Sequence, residues 1–323
     1  MELLGQQDPG ASERLDVVSD RARAGSGTVG SRPDMDSGGL AVSVVIPVRN
    51  GAATIATQLE ALASQSSAPP FEVIVADNGS TDETRAVADT FDGRLALRVV
   101  DASARRGPAY ARNVGAAAAR ARHLLFCDAD DRVSASWVAA LHLALAHHPI
   151  ATGPTYYVDA ARLTEAERHR PSVVPVEPRR YLDRVPFSAS NNLGVHAELF
   201  RALDGFDVGL QCGEDADLSI RAQLAGASLG WAAEGVVYHA RRESLAAAAR
   251  QFFRYGFYNA KVYRKLRATG LFRRSVWTML RPYLVLAATP YRVFTGRRWS
   301  WVVNASQRAG RLVGSVRFGV FCP

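Results

Sequence analysis

Cysteine is scarce in this chain. Cys127, Cys212 and Cys322 are the only three among 323 residues, and no two lie close in sequence. That excludes a disulfide framework and a clustered thiolate metal or redox site. A sparse, odd set suits a reducing compartment, so a cytoplasmic location is expected. Long apolar runs are missing too. With no uninterrupted stretch of about 18 apolar residues, a membrane-spanning helix is not expected. No basic segment followed by an apolar one opens the chain, so no secretion signal is expected. Neither the dinucleotide nor the P-loop glycine pattern occurs at any strand-to-helix turn. That argues against a dinucleotide enzyme or a P-loop ATPase.

Acids are nearly absent from one region. From Arg241 to Pro323 there are 17 Lys and Arg but a single acid, Glu243, a net of +16. The rest carries 22 basic residues and 30 acids, a net of −8. The overall basicity therefore belongs to the tail, and a tail-specific partner is the natural inference.

What the chain does contain is strands alternating with helices. Residues 1–39 are polar and rich in Gly, Ser, Asp and Arg, and are read as a disordered leader. Val42 to Ile46 is a β-branched run expected to end at Pro47. Ile55, Leu59 and Leu62 fall at helical spacing. Phe71 to Ala76 is a second strand, and Asp77-Asn-Gly-Ser-Thr-Asp82 is a turn-rich loop in which Thr81 or Asp82 can cap the next helix. Leu95 to Val100 is a third strand. Arg106 to Asn113 leads into an Ala-rich helix, and Leu124 to Cys127 is a fourth strand. This alternation predicts an α/β fold with a mostly parallel sheet and helices on both faces. Thr152 to Asp183, with its prolines, is read as an irregular connection.

Ligands bind such sheets beyond the carboxyl ends of the strands. Three polar loops stand at those ends. They are Pro47-Val-Arg49-Asn50, Asp77-Asn78, and Asp128-Ala-Asp130-Asp131. Strand alternation would point Asp128 and Asp130 the same way. Hard oxygen donors there suit Mg²⁺ or Mn²⁺ carrying a diphosphate, although a polar turn after a strand reads equally well from this stretch alone. Further on, Gly213-Glu214-Asp215-Ala-Asp217 places three acids at the start of a helix. Capping and dipole complementarity, worth roughly 0.3–1 kcal/mol, would need only one of them. His239 ends a last strand read over Trp231 to Tyr238, as an exposed group or a metal ligand. His142, His147 and His148 are read as solvated.

These blocks, in this order, resemble the family 2 glycosyltransferases, which have the GT-A fold, a Rossmann-like variant. Val44-Val-Ile-Pro-Val-Arg-Asn resembles the family's first strand and loop. Val73 to Asp82 resembles its nucleotide-contacting turn, and Phe126-Cys-Asp128-Ala-Asp130-Asp131 its DxD motif. Gly213-Glu214-Asp215-Ala-Asp217-Leu with Arg221 resembles its ED motif. The segment Asn191-Asn192 through Asp207 resembles what precedes that motif. The resemblance spans roughly Ala41 to Arg242, so domains are expected at 40–242 and 243–323.

The resemblance implies an inverting transfer from a UDP-, GDP- or dTDP-linked sugar to an acceptor hydroxyl in polysaccharide or glycolipid synthesis. Pro47, Arg49, Asn50, Asp77, Asn78, Asn113 and Asp128 would contact the nucleotide sugar. Asn78 stands where many members have a second acid. Asp130 and His239 would hold Mn²⁺ or Mg²⁺. Asp215 would be the general base, with Glu214 orienting the acceptor or exchanging roles with it. Asn191 and Asn192 would lie on the acceptor side. The helix N-terminus would lower the pKa of Asp215.

The tail reads as a long amphipathic helix, Leu245 to Leu266, with Arg250, Arg254, Lys261 and Lys265 on one arc. A broken apolar stretch follows. This basic helical extension would either pack on the catalytic domain or touch an anionic membrane surface at the inner leaflet. Two other functions compete. A metal-dependent nucleotidyltransferase would need a Gly-rich basic loop after the first strand, where Pro47 to Gly51 offers one Arg and one Gly. A nucleic-acid binder would use the basic tail, but the acidic body would repel a polyanion.

Overall fold

The computed structural model of the chain describes residues 39–169, 177–240, 244–271 and 276–322. Apart from Gly39, the leader lies outside the described residues, as does the expected domain boundary at Arg242.

The β-branched run forms β1 (Val42–Val48), buried throughout. Pro47 does not end it; the strand continues past Pro47, which pairs with Ala76. The neighbouring strand on the other side pairs only as far as Val45, so the missing N–H costs no ladder bond there. Then follow α1 (Ile55–Ala63), β2 (Phe71–Asp77), α2 (Thr84–Asp89), β3 (Leu97–Asp101), α3 (Pro108–Ala118) and β4 (His123–Phe126). β1, β2, β3 and β4 are all parallel.

The next elements are β5 (Asp131–Val133), α4 (Trp137–Leu145), β6 (Ile150–Thr152), β7 (Thr155–Val158) and a 3-10 stretch, Ala160–His169. After them come β8 (Arg179–Tyr181), β9 (Val185–Phe187), β10 (Leu193–His196), α5 (Ala197–Ala202), α6 (Glu214–Leu224), β11 (Leu229–Trp231) and β12 (Val237–Ala240). Among its described residues the segment read as irregular carries β7, the 3-10 stretch and β8, with Pro154 and Pro178 just outside the strands. The single strand read over Trp231 to Tyr238 is two strands in two different sheets.

The main sheet has the order β11-β6-β10-β4-β1-β2-β3. β10 alone runs antiparallel, against β4 and β6. Apolar clusters fill both faces. Ile55, Leu59, Trp137 and Leu141 pack against one face. Ala109, Phe200, Phe206 and Leu218 pack against the other. This is the GT-A architecture expected from the sequence. A small sheet, β5-β12-β7, stands beside it.

The tail forms α7 (Leu245–Leu266), α8 (Val276–Ala288), a 3-10 turn at Pro290–Phe294 and α9 (Arg298–Phe318). Ala260, Val262 and Leu266 of α7 join Ala216 and Ile220 of α6 in a shared cluster. The basic arc read on α7 is only partly free. Lys265 reaches Asp207 and Asp217, each at 2.8 Å, and Lys261 donates to the Gly209 carbonyl at 2.6 Å. A helical wheel gives angles but not neighbours, and here the domain offers carboxylates to that arc. α7 and α9 cross backbone to backbone. A Cβ at Gly256 would stand 1.8 Å from the Gln307 carbonyl oxygen, and one at Gly310 2.0 Å from that of Phe253. Among the described residues no helix is long and apolar enough to cross a membrane.

Candidate active site

β4 stops at Phe126, and Asp128 to Asp130 lie in a turn. The strand alternation invoked for Asp128 and Asp130 therefore does not apply. The three acids separate instead. Asp128 is half-buried, Asp130 is exposed, and Asp131 is buried at the start of β5.

Arg112 of α3, itself 4% exposed, organises this end of the sheet. One Nη donates to Asp128 Oδ1 at 2.7 Å and the other to Glu214 Oε1 at 3.0 Å. Its guanidinium also lies over the Phe206 ring, 5.6 Å from the centroid. Two acid motifs far apart in the chain thereby share one buried cation. In the sequence Arg112 carries one signal, a lone charge within an Ala-rich helix.

Glu214 and Asp215 open α6 behind Gly213, whose φ of 81° is left-handed. Burial raises the carboxyl pKa of both. For Glu214 the charge of Asp215 adds to the rise, against the pull of Arg112. For Asp215, burial outweighs the Ala216 amide, which donates to Oδ1 at 2.7 Å. The expectation of a lowered Asp215 pKa is therefore reversed, because desolvation exceeds the contribution of the helix terminus. The Ser190 amide reaches Asp215 Oδ2 at 3.4 Å. From the tail, Tyr255 lies near enough that, after burial, the charges of Cys212 and Asp215 help raise its pKa.

β5 and β12 set Asp131 opposite His239. Asp131 Oδ1 meets His239 Nδ1 at 2.5 Å, and Asn191 Nδ2 donates to Oδ2 at 2.7 Å. Burial pushes the Asp131 pKa up to about 6 despite the imidazole. For His239 burial acts downward, yet the hydrogen bond and charge of Asp131, then Asp130 and Asp128, raise it. A histidine whose Nδ1 is held by a carboxylate keeps Nε2 in one orientation. Among the described residues no three of His, Cys, Asp and Glu gather to hold a metal by themselves. Asp130 is exposed, and its charge helps raise the His239 pKa; the two would offer a divalent ion one oxygen and one imidazole, leaving its other positions to be filled by phosphate oxygens and water.

Several predicted contacts are engaged in holding the loops. Asp77 accepts from the Ser80 amide at 2.8 Å and from Arg85. Burial opposes its ionisation, but those bonds hold its pKa below the usual carboxylate range. The Asn50 side chain accepts from the Thr81 amide at 2.9 Å, and the Asn50 amide donates to Ser80 Oγ at 3.0 Å. Asp82 takes the Thr84 and Ala52 amides, each at 3.1 Å. Pro47 is buried in β1, and Arg49 is exposed beside it.

Three asparagines read differently from expectation. Asn78 donates to the carbonyls of Ala102 and Arg105 and accepts from the Gly107 amide, so it shapes the β3–α3 loop. Asn113 pairs through both ends of its amide with the Phe206 backbone, at 2.8 and 2.9 Å. Asn192 is fully buried, bonded to Trp137 and to the carbonyls of Pro154 and Gly235, so its side chain ties the β10 end to the neighbouring loops. Asn191 acts on Asp131 instead. His142 is not simply solvated either: its Nδ1 lies 3.0 Å from that of the buried His123.

Residues 43–203 match the family described as Glycosyl transferase family 2. The chain is 30% identical over 221 residues to the pre-mycofactocin glycosyltransferase of Mycobacterium tuberculosis, covering 63% of this chain and 43% of that protein. It therefore spans less than half the length of that relative. The mannosyltransferase PcManGT from Pyrobaculum calidifontis, solved with GDP-Man and Mn²⁺, superposes with a TM-score of 0.55 at 18% identity, covering 94% of this chain and 95% of that one. S. aureus TarS 1–349, solved with UDP-GlcNAc, gives 0.51 at 18% identity, with coverages of 87% and 93%. Motif order, sheet topology and these matches agree, and through its domain at residues 43–203 the chain belongs to glycosyltransferase family 2.

Proposed function

We propose that the chain is an inverting glycosyltransferase that moves a sugar from a nucleoside-diphosphate sugar to an acceptor hydroxyl of a polysaccharide or glycolipid. The observation that carries this reading is the guanidinium of Arg112 between Asp128 and Glu214. It brings the acids after β4 and the acids of α6 to one place. A reaction that must shed a diphosphate and deprotonate an alcohol needs both sets together.

In this reading Asp215 takes the acceptor proton as the oxygen attacks the anomeric carbon from the face opposite the diphosphate. A positioned base of this kind contributes on the order of 10²–10⁴ in rate. Its raised pKa makes it a stronger base than an ordinary aspartate, at the cost of being ionised only at higher pH. Glu214, paired with Arg112, fixes the first turn of α6 so that Asp215 keeps its orientation. Asp77 and the Asn50 loop line the nucleoside side. Asp130 and His239 would hold Mn²⁺ or Mg²⁺, with Asp131 and Asn191 orienting the imidazole. Bound there, the ion supplies Lewis acidity toward the departing diphosphate. The relatives solved with GDP-Man and Mn²⁺ and with UDP-GlcNAc support the donor class and the metal.

The test uses two variants. Asp130→Ala should weaken nucleotide binding in the presence of Mn²⁺ and abolish metal-dependent turnover. Asp215→Asn should keep nucleotide binding and lose transfer. Transfer by Asp215→Asn at the parent rate would overturn the base assignment.

A further inference from the structure

Outside the carboxylate cluster, the tail encloses a cleft of about 360 Å³ between α8 and α9. Arg281, Arg292, Arg297 and Arg308 line it, together with Trp301 and Asn304. Four guanidinium groups around one cavity repel one another unless an anion sits among them. The tail itself supplies none, and from the rest of the chain only the charge of Asp183 is seen to act on Arg308, against burial and Arg311. No acid occurs in the sequence after Glu243. Among the described residues, none of the four arginines pairs with a carboxylate, and Arg308 bonds only to Asn304, at 3.1 Å to its side-chain oxygen. Donors on two of the lining residues also lack acceptors: Trp301 Nε1 and Arg308 Nε are both buried without a hydrogen-bond partner. Every one of these features calls for an acceptor-rich anion. A guanidinium fork matches a phosphate group better than an ammonium would.

The surroundings narrow the source of that phosphate. The same elements carry large apolar side chains in the open. Phe294, in the turn between Arg292 and Arg297, is 91% exposed, and Trp277 of α8 is 68% exposed. Leu280, Leu284 and Tyr291 are exposed as well. A soluble phosphate compound gives these groups nothing to bury against. A membrane surface gives them the acyl boundary while its headgroups meet the arginines.

We propose that the cleft between α8 and α9 binds the phosphate headgroup of an anionic membrane lipid, with Trp277, Phe294 and their apolar neighbours entering the acyl boundary. The site lies outside the transfer chemistry assigned above and stands or falls without it. It differs from diffuse attraction of a basic tail in requiring arginine geometry at particular positions.

The experiment is co-sedimentation of the full chain with vesicles of phosphatidylcholine alone or mixed with phosphatidylglycerol. Two double variants separate a built site from net charge. Arg292→Lys with Arg297→Lys keeps the charge but removes the forks. Arg267→Gln with Arg317→Gln removes two exposed charges away from the cleft. The lysine pair should weaken binding to the mixed vesicles by roughly tenfold or more, while the glutamine pair changes it by less than about fivefold, the scale of one basic residue near such a surface. The reverse ranking would replace the site with diffuse charge and overturn the proposal. Equal binding to both vesicle types would leave only apolar contact and also overturn it. So would displacement from the vesicles by inorganic phosphate at low millimolar concentration, which would assign the cleft to a soluble phosphate.

Discussion

Replacing Arg112 with Met is the most exacting test of how this site is held together. Methionine keeps much of the unbranched bulk but removes the cation. It leaves Glu214, whose side chain is 9% exposed, facing Asp215 with no counter-charge. Breaking a buried pair in this way costs about 3–5 kcal/mol. Asp128 is 28% exposed and is partly relieved by water, so its share is nearer the 1 kcal/mol of a surface pair. A loss of about 4–6 kcal/mol is therefore expected in urea unfolding at pH 8.

Glu214 can escape the penalty by taking up a proton. With Arg112 gone its folded pKa rises further above its unfolded value of about 4.3. A carboxyl raised in the folded state contributes its stability fully below the unfolded pKa and loses it as pH rises through the folded one. The destabilisation should thus be smaller at pH 5 than at pH 8. Adding Glu214→Gln to Arg112→Met should recover about half of the loss at pH 8, since the stranded charge is then absent. Equal urea midpoints for the single and double variants at pH 8 would refute the reasoning.

Two further outcomes follow from the same geometry. Because burial raises the Asp215 pKa, the acidic limb of the transfer rate should lie above the ordinary aspartate range near 3.9, with rate rising as pH increases through it; a limb at or below that range would remove Asp215 as the base. Gly310→Val puts side-chain carbon where α9 meets the Phe253 carbonyl, so the helices must separate. A loss of roughly 1–3 kcal/mol is expected by thermal or urea unfolding, and an unchanged midpoint would mean that the crossing is not tight.

Much of the catalytic half could be read from the sequence, because its signals are local. β-branched runs ending in polar turns gave β1 and β2, and the acids of Gly213 to Asp217 gave the first turn of α6. What stayed hidden is relational. Asn78, Asn113 and Asn192 are polar residues near the site, and polarity alone does not tell a ligand contact from a backbone tie; each satisfies buried carbonyls or amides. Arg112 lacks any local signature, since its partners come from two distant loops. Asp131 looked like the third acid of a turn, yet it begins a strand whose partner, β12, is more than a hundred residues away. Lys265 sat on a solvent-like arc until α6 supplied Asp217.

α6 is held from two sides. Arg112 grips its first residue, and Lys265 of α7 is fastened to Asp217, one turn along the same helix. Asp215, the carboxylate proposed to take the acceptor proton, lies between these anchors. Tilting or withdrawing the C-terminal helices would therefore pull on the turn that carries Asp215, and would couple the proposed chemistry to the placement of the tail.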